Sequence, residues 1–454
     1  MSIQDPVYAA EGGVASLAGR GLSLRVPAAL RAQLALTGLL ATTLAIVLAA
    51  AATPQLLPQT TRPAPSWLSD PLGATGLRLG AGPLIALLVV MFGCYVVAAR
   101  SAPGLSPRLL IGGILAIYAL VLLAPPLFST DVFSYQAYGR MGALHGLNPY
   151  LAGPHAAAHD PVFNYVGFRW RDTPTVYGPL FTALAYVLAP LSIAAGALAY
   201  KGMAVVAMLL SLRLVWKIAL ARGIEPRRAV ALVGLNPLLF LYGAGGGHND
   251  LLMLLPLLAG IYLALGRRPM AAGSAMLAAA AVKLTGGLPL AFALAAGGRR
   301  ESGARRRMLC GAALAGVALT ALGVALFGGG LLRLPGTLQH VQSQTGGHSL
   351  PDLIVKAVGA PGAHAVVGTL LGAAAGGSCL WLLGRVWQGR LDWIAAAGWS
   401  AVALLVATSW LVPWYMAWVL PLAALGRDRR LWQASIAMSA VILAVNLADY
   451  VPHT

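Results

Sequence analysis

Charge and cysteine are both scarce in this 454-residue chain, and each scarcity excludes a class of protein. Only 10% of the residues are charged, whereas a soluble domain carries about a quarter, so a soluble globular fold is excluded. Cys94, Cys310 and Cys379 all lie inside apolar stretches. Three isolated cysteines form neither a disulfide framework nor a metal-binding cluster.

Acidic residues are also few, since 13 Asp and Glu stand against 31 Lys and Arg and leave a formal net charge of +18. In a soluble protein this balance indicates nucleic-acid binding. Here the basic residues fall between apolar runs, as topology signals do in membrane proteins. We therefore predict no nucleic-acid partner and a chain surrounded by membrane lipids.

Long apolar runs are abundant, because 59% of the residues are hydrophobic. The runs are continuous rather than alternating, which indicates helices of about 20 residues that cross a bilayer. We predict an all-α polytopic protein, a single integral membrane domain over residues 1–454, with about 11 to 14 transmembrane helices. Residues 1–30 are mixed and polar, so no cleavable signal is expected. The clear spans are 33–53, 79–99, 109–127, 200–220, 229–245, 249–266, 308–328, 362–384, 393–411, 412–426 and 432–449.

Two apolar stretches are ambiguous. Residues 177–198 contain Pro179 and Pro190 and are compatible with a short or re-entrant helix. Residues 270–297 contain Lys283 followed by Gly286-Gly287-Leu288-Pro289, which predicts two short helices that meet at a break.

The basic residues also predict the orientation of the chain. Most of the 31 basic residues, including the 299–307 cluster, fall on one side of the predicted spans, and we assign that side to the cytoplasm. The opposite, outer side of a plasma membrane then carries two long loops, 128–176 and 329–361, together with residues 54–78. Transporters usually place their sites near the bilayer midplane, so long outer loops suggest chemistry at the surface instead.

The first long outer loop opens with Ser129-Thr130-Asp131. A carboxylate directly after a span is costly to desolvate and usually has a function. Asp131 is compatible with a general base that takes a proton from an incoming hydroxyl, and also with a helix-capping segment formed by Ser129, Thr130 or Asp131. Arg140 is a candidate phosphate ligand or an interfacial anchor. Tyr135 lies between them, and we include it among the substrate-binding candidates.

Two further segments carry polar side chains beside apolar spans. In Gly245–Asp250, three glycines precede His248 and Asp250 at the start of a span, where free backbone N–H groups favour an anion. The alternative is an ordinary glycine turn with Asn249 or Asp250 as the cap. Lys283 is costly if it is buried without a partner, so it either snorkels to the interface or meets an anion such as a phosphate.

The remaining candidates are less specific. The second long loop contains His340 and His348, of which we favour His348 as a phosphate contact, and the spacing matches no metal site. Asp160 and Asp172 are secondary carboxylate candidates. The last group of candidates is aromatic and consists of Trp410, Trp414, Tyr415 and Trp418. We interpret these residues as an aromatic belt at the membrane interface rather than as a platform for a sugar.

Several of these motifs, in this order, resemble those of one enzyme family. The string DVFSYQAYGRMGALHGLNPY at 131–150 resembles the first outer loop of bacterial C-type glycosyltransferases that use polyprenyl-phosphate mannose, above all the α-1,6-mannosyltransferase family of lipoglycan synthesis. Tyr177–Leu180, Asn236-Pro237, Gly245–Asp250, Lys283 and Pro413–Tyr415 also match, so the resemblance covers about residues 110–425.

The resemblance implies an activity and its partners. In that family an acidic residue of the first outer loop is the catalytic base, and Asp131 stands at the matching position. The implied enzyme moves a hexose, with mannose the best candidate, from a polyprenyl-phosphate donor to a lipid-linked glycan acceptor, with inversion and without a cofactor. Arg140, Lys283 and His348 would stabilise the charge on the leaving phosphate. The chain contains no Gly-rich strand–helix motif for nucleotide binding, in agreement with such a donor.

Two other classes of function remain open. A multi-span transporter or lipid flippase predicts inverted repeats and ionisable residues near the midplane, and the sequence contains no convincing repeat. A non-catalytic assembly subunit would not need Asp131.

Overall fold

A computed structural model describes residues 27–52, 76–300, 303–344 and 346–447, without the side chains of residues 52, 298–300 and 361. Within these ranges all regular secondary structure is helical. Arg20, Arg25, Arg62 and most of the predicted outer segment 54–78 lie outside the described residues.

The helices agree closely with the predicted spans. Among the described residues, six helical segments are long and apolar enough to cross a membrane, and seven shorter apolar segments accompany them. The chain is therefore a polytopic all-α membrane protein. The α-helices are α1 Ala28–Ala52, α2 Ala81–Ser101, α3 Pro107–Leu123, α4 Asp131–His145, α5 Pro179–Leu188, α6 Ile193–Ala221, α7 Pro226–Gly234, α8 Asn249–Leu265, α9 Pro269–Val282, α10 Leu288–Arg300, α11 Ala304–Phe327, α12 Leu334–Ser343, α13 Leu350–Val358, α14 His364–Trp387, α15 Trp393–Ala407, α16 Leu420–Leu425 and α17 Arg429–Leu447.

Both ambiguous stretches are broken, as their proline and glycine residues indicate. The first consists of α5 and the start of α6, separated by a turn. In the second, α9 ends at Val282 and α10 begins at Leu288, with a 3-10 turn over Leu284–Gly287 between them. The predicted break at Lys283 is therefore confirmed, and the side chain of Lys283 projects from a point where no α-helix continues.

Two stretches that were predicted as single spans are also interrupted. In 229–245, α7 ends at Gly234, and a π-helix follows over Leu238–Ala244. Pro237 has no N–H to continue the helix, and Asn236 donates its amide N–H to Ser439 Oγ at 3.1 Å. In 412–426, a 3-10 turn over Pro413–Trp418 leads into α16. A six-residue helix is about 9 Å long, so α16 alone does not cross a bilayer.

Close packing between helices brings the starts of α4 and α8 together. Helix α6 packs against α4, α7 and α8, and α9 packs along α8. A Cβ atom at Gly139 would lie only 2.2 Å from the carbonyl oxygen of Ala185, so the approach of α4 to α5 requires glycine.

Several basic turns meet at the end of the helices remote from the α4–α8 junction. Arg222 pairs with Asp392 at 2.9 Å, and Arg427 donates to the Arg222 carbonyl. Arg227 donates to the carbonyl of Leu105 at 3.0 Å. The basic turns thus share one end, and their assignment to the cytoplasm stays a prediction.

Candidate active site

Asp131 is the first residue of α4, directly after a tightly bent connection from α3. Pro125 and Pro126 end the preceding helix, and Phe128 has a left-handed φ of 57°. Thr130 is the N-cap but makes no side-chain capping bond, while the Asp131 N–H donates to Ser129 Oγ at 3.2 Å. Because the Asp131 carboxylate does not cap the helix, it remains available for other partners.

The carboxylate of Asp131 lies against His248 and Tyr135. His248 Nδ1 is 3.3 Å from Asp131 Oδ2 and 3.4 Å from the Tyr135 hydroxyl. The Tyr135 hydroxyl also donates to Asp131 Oδ2 at 3.5 Å. Three residues that sequence analysis assigned to the site therefore meet at one point, and the Asp131 side chain is 17% exposed.

The surroundings of Asp131 keep its carboxylate ionised. Burial by itself raises the pKa, but the hydrogen bond to His248 and the charges of His248 and Lys283 lower it, so the pKa of Asp131 lies below its ordinary value. The N-terminus of α4 adds a positive dipole at the same place. An ionised and partly exposed carboxylate is able to accept a proton from a hydroxyl.

The glycine turn before α8 sets the position of His248. Gly247 has a left-handed φ of 68°, and a Cβ atom there would lie 2.6 Å from Val132 Cγ1, so no larger residue fits without a shift. His248, rather than Asn249 or Asp250, is the N-cap of α8. The side chains of His248, Asn249 and Asp250 are all fully buried.

Asp250 and Lys283 form a second charged pair beside the first. Lys283 Nζ lies 2.7 Å from Asp250 Oδ2, and the Trp418 indole donates to Asp250 Oδ1 at 2.7 Å. Lys283 Nζ also lies 4.6 Å from the Tyr415 ring centre and 5.5 Å from that of Trp418. Lys283 therefore meets an anion of the protein itself, and its side chain stays 15% exposed.

Two tryptophans contact the site, which the aromatic-belt interpretation did not predict. The Trp414 ring stacks on the His248 imidazole, with ring centres 3.5 Å apart, and Trp418 bonds to Asp250 as described above. The sequence offered no signal for these contacts, because residues four apart do not share a face in the 3-10 turn over Pro413–Trp418. Both rings are half-buried and so keep surface for a ligand.

Arg140 belongs to a separate cluster further along α4. Its Nε lies 2.9 Å from both carboxylate oxygens of Asp160, and its Nη1 donates to the Ala189 carbonyl at 3.0 Å. His145 Nε2 contacts the same carboxylate at 2.7 Å. Burial raises the pKa of Asp160, but His145, the Val162 N–H and Arg140 lower it below its ordinary value. These contacts fasten the loop to α4, and phosphate binding by Arg140 stays a prediction.

The other sequence candidates lie in loops. Asp172 is 79% exposed and pairs with His155 at 2.9 Å. His348 is half-buried between α12 and α13, where the Gly346 N–H donates to the Ser409 carbonyl at 3.3 Å. That bond places the His348 loop beside the segment that leads to Trp414. Among the described residues, no group of three His, Cys, Asp or Glu side chains is arranged to hold a metal ion.

Comparison with known proteins adds the family. Residues 35–298 match the model of the "Alpha-(1->6)-mannopyranosyltransferase, N-terminal domain" family. A Mycolicibacterium smegmatis protein named "Probable alpha-(1->6)-mannopyranosyltransferase" is 29% identical over 372 residues, which are 71% of this chain and 66% of the relative.

Two further relatives match over shorter stretches. "Alpha-(1->6)-mannopyranosyltransferase A" of Corynebacterium glutamicum is 30% identical over 39% of this chain and 37% of its own length. The protein of the same name from Mycobacterium tuberculosis is 34% identical over 38% of this chain and 34% of its own length. The matches thus span slightly less than two thirds of the first relative and about a third of the others.

No solved structure matches the chain. The family match includes α4, the glycine turn, α8 and Lys283, which together carry most of the described site. Because that match covers more than half of the sequence, this chain belongs to the alpha-(1->6)-mannopyranosyltransferase family.

Proposed function

We propose that this protein transfers mannose from a polyprenyl-phosphate donor to a lipid-linked glycan acceptor at the outer face of the plasma membrane. The family supports the sugar and the reaction class, and the apolar helices support lipid-linked substrates. The observation that carries the proposal is the ionised, partly exposed Asp131 beside His248.

In the proposed step, Asp131 takes the proton of an acceptor hydroxyl while the hydroxyl oxygen attacks the anomeric carbon of the donor. The bond from that carbon to the phosphate oxygen breaks, and polyprenyl phosphate leaves with the bonding electrons. Attack from the side opposite the leaving group inverts the anomeric carbon, so an α-linked product comes from a β-linked donor. Tyr135 and His248 hold the carboxylate through the contacts described above.

The departing phosphate needs hydrogen-bond donors and positive charge that are already in place. Lys283 supplies both, because Asp250 uses only one of its three N–H donors. The N-terminus of α8 adds a positive dipole beside it. His348 is a further candidate ligand from the second loop, while the contacts of Arg140 favour a role in anchoring the first loop over a role in phosphate binding.

The half-buried ring of Trp414 is a surface for the sugar or the acceptor. It covers His248, and an aromatic face packs well against the apolar side of a ligand.

Incubation of the purified protein in lipid nanodiscs with polyprenyl-phosphate mannose and a lipid-linked mannoside acceptor tests the proposal. We expect a new α-linked mannose on the acceptor and no transfer from a nucleotide sugar. A flippase would move the donor lipid across a vesicle membrane without forming a glycosidic bond, and an assembly subunit would do neither. Either of those results would contradict the proposal.

A further inference from the structure

Lys201 is a buried cation for which the proposed reaction has no use. It lies in the membrane helix α6, and its side chain is 0% exposed. Its ammonium group donates to the carbonyl oxygens of Ala124 and Pro125, and no carboxylate pairs with it among the described residues. A charged group inside a membrane protein is expensive and usually serves a function.

The partners of Lys201 explain its position. Helix α3 ends at Leu123, and the chain continues in an extended conformation from Ala124. Lys201 donates to the two carbonyls that directly follow the helix, those of Ala124 and Pro125, and its positive charge is favourable at the negative end of the α3 dipole. The ammonium thus stabilises the place where the chain leaves α3.

The segment that Lys201 holds leads directly to Asp131. Its other attachments are made to the glycine turn, because the Leu127 N–H donates to the Gly245 carbonyl at 3.0 Å and the Phe128 ring stacks on Tyr242 at 4.6 Å. A Cβ atom at Gly247 would lie 3.3 Å from Lys201 Cγ. Lys201 therefore touches both chain segments that bring Asp131 and His248 together.

We infer that Lys201 is a positioning residue that fixes Asp131 against His248. The effect of Lys201 on catalysis rests on the proposed function, whereas its effect on the position of Asp131 does not. Loss of the ammonium leaves the Ala124 and Pro125 carbonyls without donors, and the connection to α4 relaxes. Misplacement of a catalytic group by about 1 Å costs up to about a hundredfold in rate.

The kinetic test compares Lys201→Met with Lys217→Met, an exposed position on the same helix. We expect kcat of Lys201→Met to fall by about tenfold to a hundredfold, with the KM values of donor and acceptor unchanged and the folded fraction equal by size exclusion. Lys201→Gln, which keeps an N–H donor, recovers part of the rate. A full kcat in folded Lys201→Met would overturn the inference. The inference would also be overturned if Lys201→Met and Lys201→Gln lost the same activity and a smaller folded fraction accounted for that loss.

A second measurement reads the geometry without activity. In a background that lacks the three native cysteines, Asp131→Cys and His248→Cys are cross-linked by a short bifunctional reagent, either with Lys201 intact or together with Lys201→Met. We expect efficient cross-linking with the lysine and several-fold less in the Lys201→Met background; equal cross-linking would contradict the positioning role. If the parent protein transfers no sugar but the cross-linking depends on Lys201, the proposed function fails while the positioning role stands.

Discussion

The pair formed by Arg140 and Asp160 offers a quantitative test of how the first long loop is held. Asp160 is 3% exposed and Arg140 is 17% exposed, so the pair is largely shielded from water. Removal of one partner of a buried pair costs about 3–5 kcal/mol. In Arg140→Gln, His145 and the Val162 N–H still contact Asp160. We therefore expect the loss in unfolding free energy to lie at the lower end of this range, about 3 kcal/mol.

The appropriate assay is a double-mutant cycle. We expect Arg140→Gln and Asp160→Asn each to lower the free energy of unfolding, and the double variant to lose about 1–3 kcal/mol less than the sum of the two. Urea titrations in mild detergent, followed by tryptophan fluorescence, measure the three losses. Arg169→Gln is the matched control, because Arg169 is an exposed arginine of the same loop.

Kinetics distinguish loop anchoring from phosphate binding. If Arg140 anchors the loop, the folded Arg140→Gln and Asp160→Asn variants should both show a small change in the donor KM, and the two changes should be equal. Additive unfolding free energies together with a raised donor KM in Arg140→Gln alone would refute the reasoning and assign Arg140 to the phosphate.

Three further predictions follow from particular contacts. The pKa of Asp160 in the folded protein lies below its ordinary value of 3.8. The stability that the carboxylate contributes is therefore present above pH 3.8 and is lost as the pH falls through the lower pKa of the folded state. The difference in melting temperature between the parent and Asp160→Asn should shrink below about pH 4. Lys283→Met leaves the fully buried Asp250 without its cation and should lower the free energy of unfolding by about 3 kcal/mol or more. A second substitution, Asp250→Asn in the same chain, should restore part of this loss. Purely additive losses of unfolding free energy in urea titrations would argue against the pair. Cysteines introduced at exposed Asp172 and Arg306 should be labelled from outside and inside the cell respectively, and labelling from one side only would contradict the predicted orientation.

The helices and the break at Lys283 were predictable because their causes are local. Apolar run length indicates which segments can span the membrane, and Gly286-Gly287-Leu288-Pro289 combines two glycines with a proline, which favours an interruption of the helix. The end of α7 at Gly234 also has a local signal in Pro237, whereas the bond from Asn236 to Ser439 of a distant helix could not be predicted locally. In 412–426, Pro413 and Pro421 stand at the starts of the 3-10 turn and of the six-residue helix, but the apolar composition of the segment predicted one continuous span.

The members of the site were more predictable than their contacts. Asp131, His248, Asp250 and Lys283 stand out as polar groups beside apolar spans. Two contacts depend on how α8 packs against the chain near residue 415: His248 stacks on Trp414, and Asp250 accepts a hydrogen bond from Trp418. Composition and periodicity carry no information about such long-range pairs.

The same limit explains Arg140 and Lys201. Arg140 is close to Asp131 in sequence, and this proximity suggested a common site, whereas the fold turns Arg140 towards Asp160. Lys201 did not stand out in the sequence, because its bonds to the two carbonyls that follow α3 leave no trace there.

Replacement of Asp131 tests the central claim most directly. Asp131→Asn keeps the size of the side chain but removes its ability to take a proton, and Asp172→Asn changes an exposed carboxylate of the same predicted loop as the control. With polyprenyl-phosphate mannose as the donor, we predict that Asp131→Asn folds and inserts normally, binds the donor and loses transfer by at least about a hundredfold, while Asp172→Asn stays close to the parent. Transfer by folded Asp131→Asn at the parent rate would contradict the account.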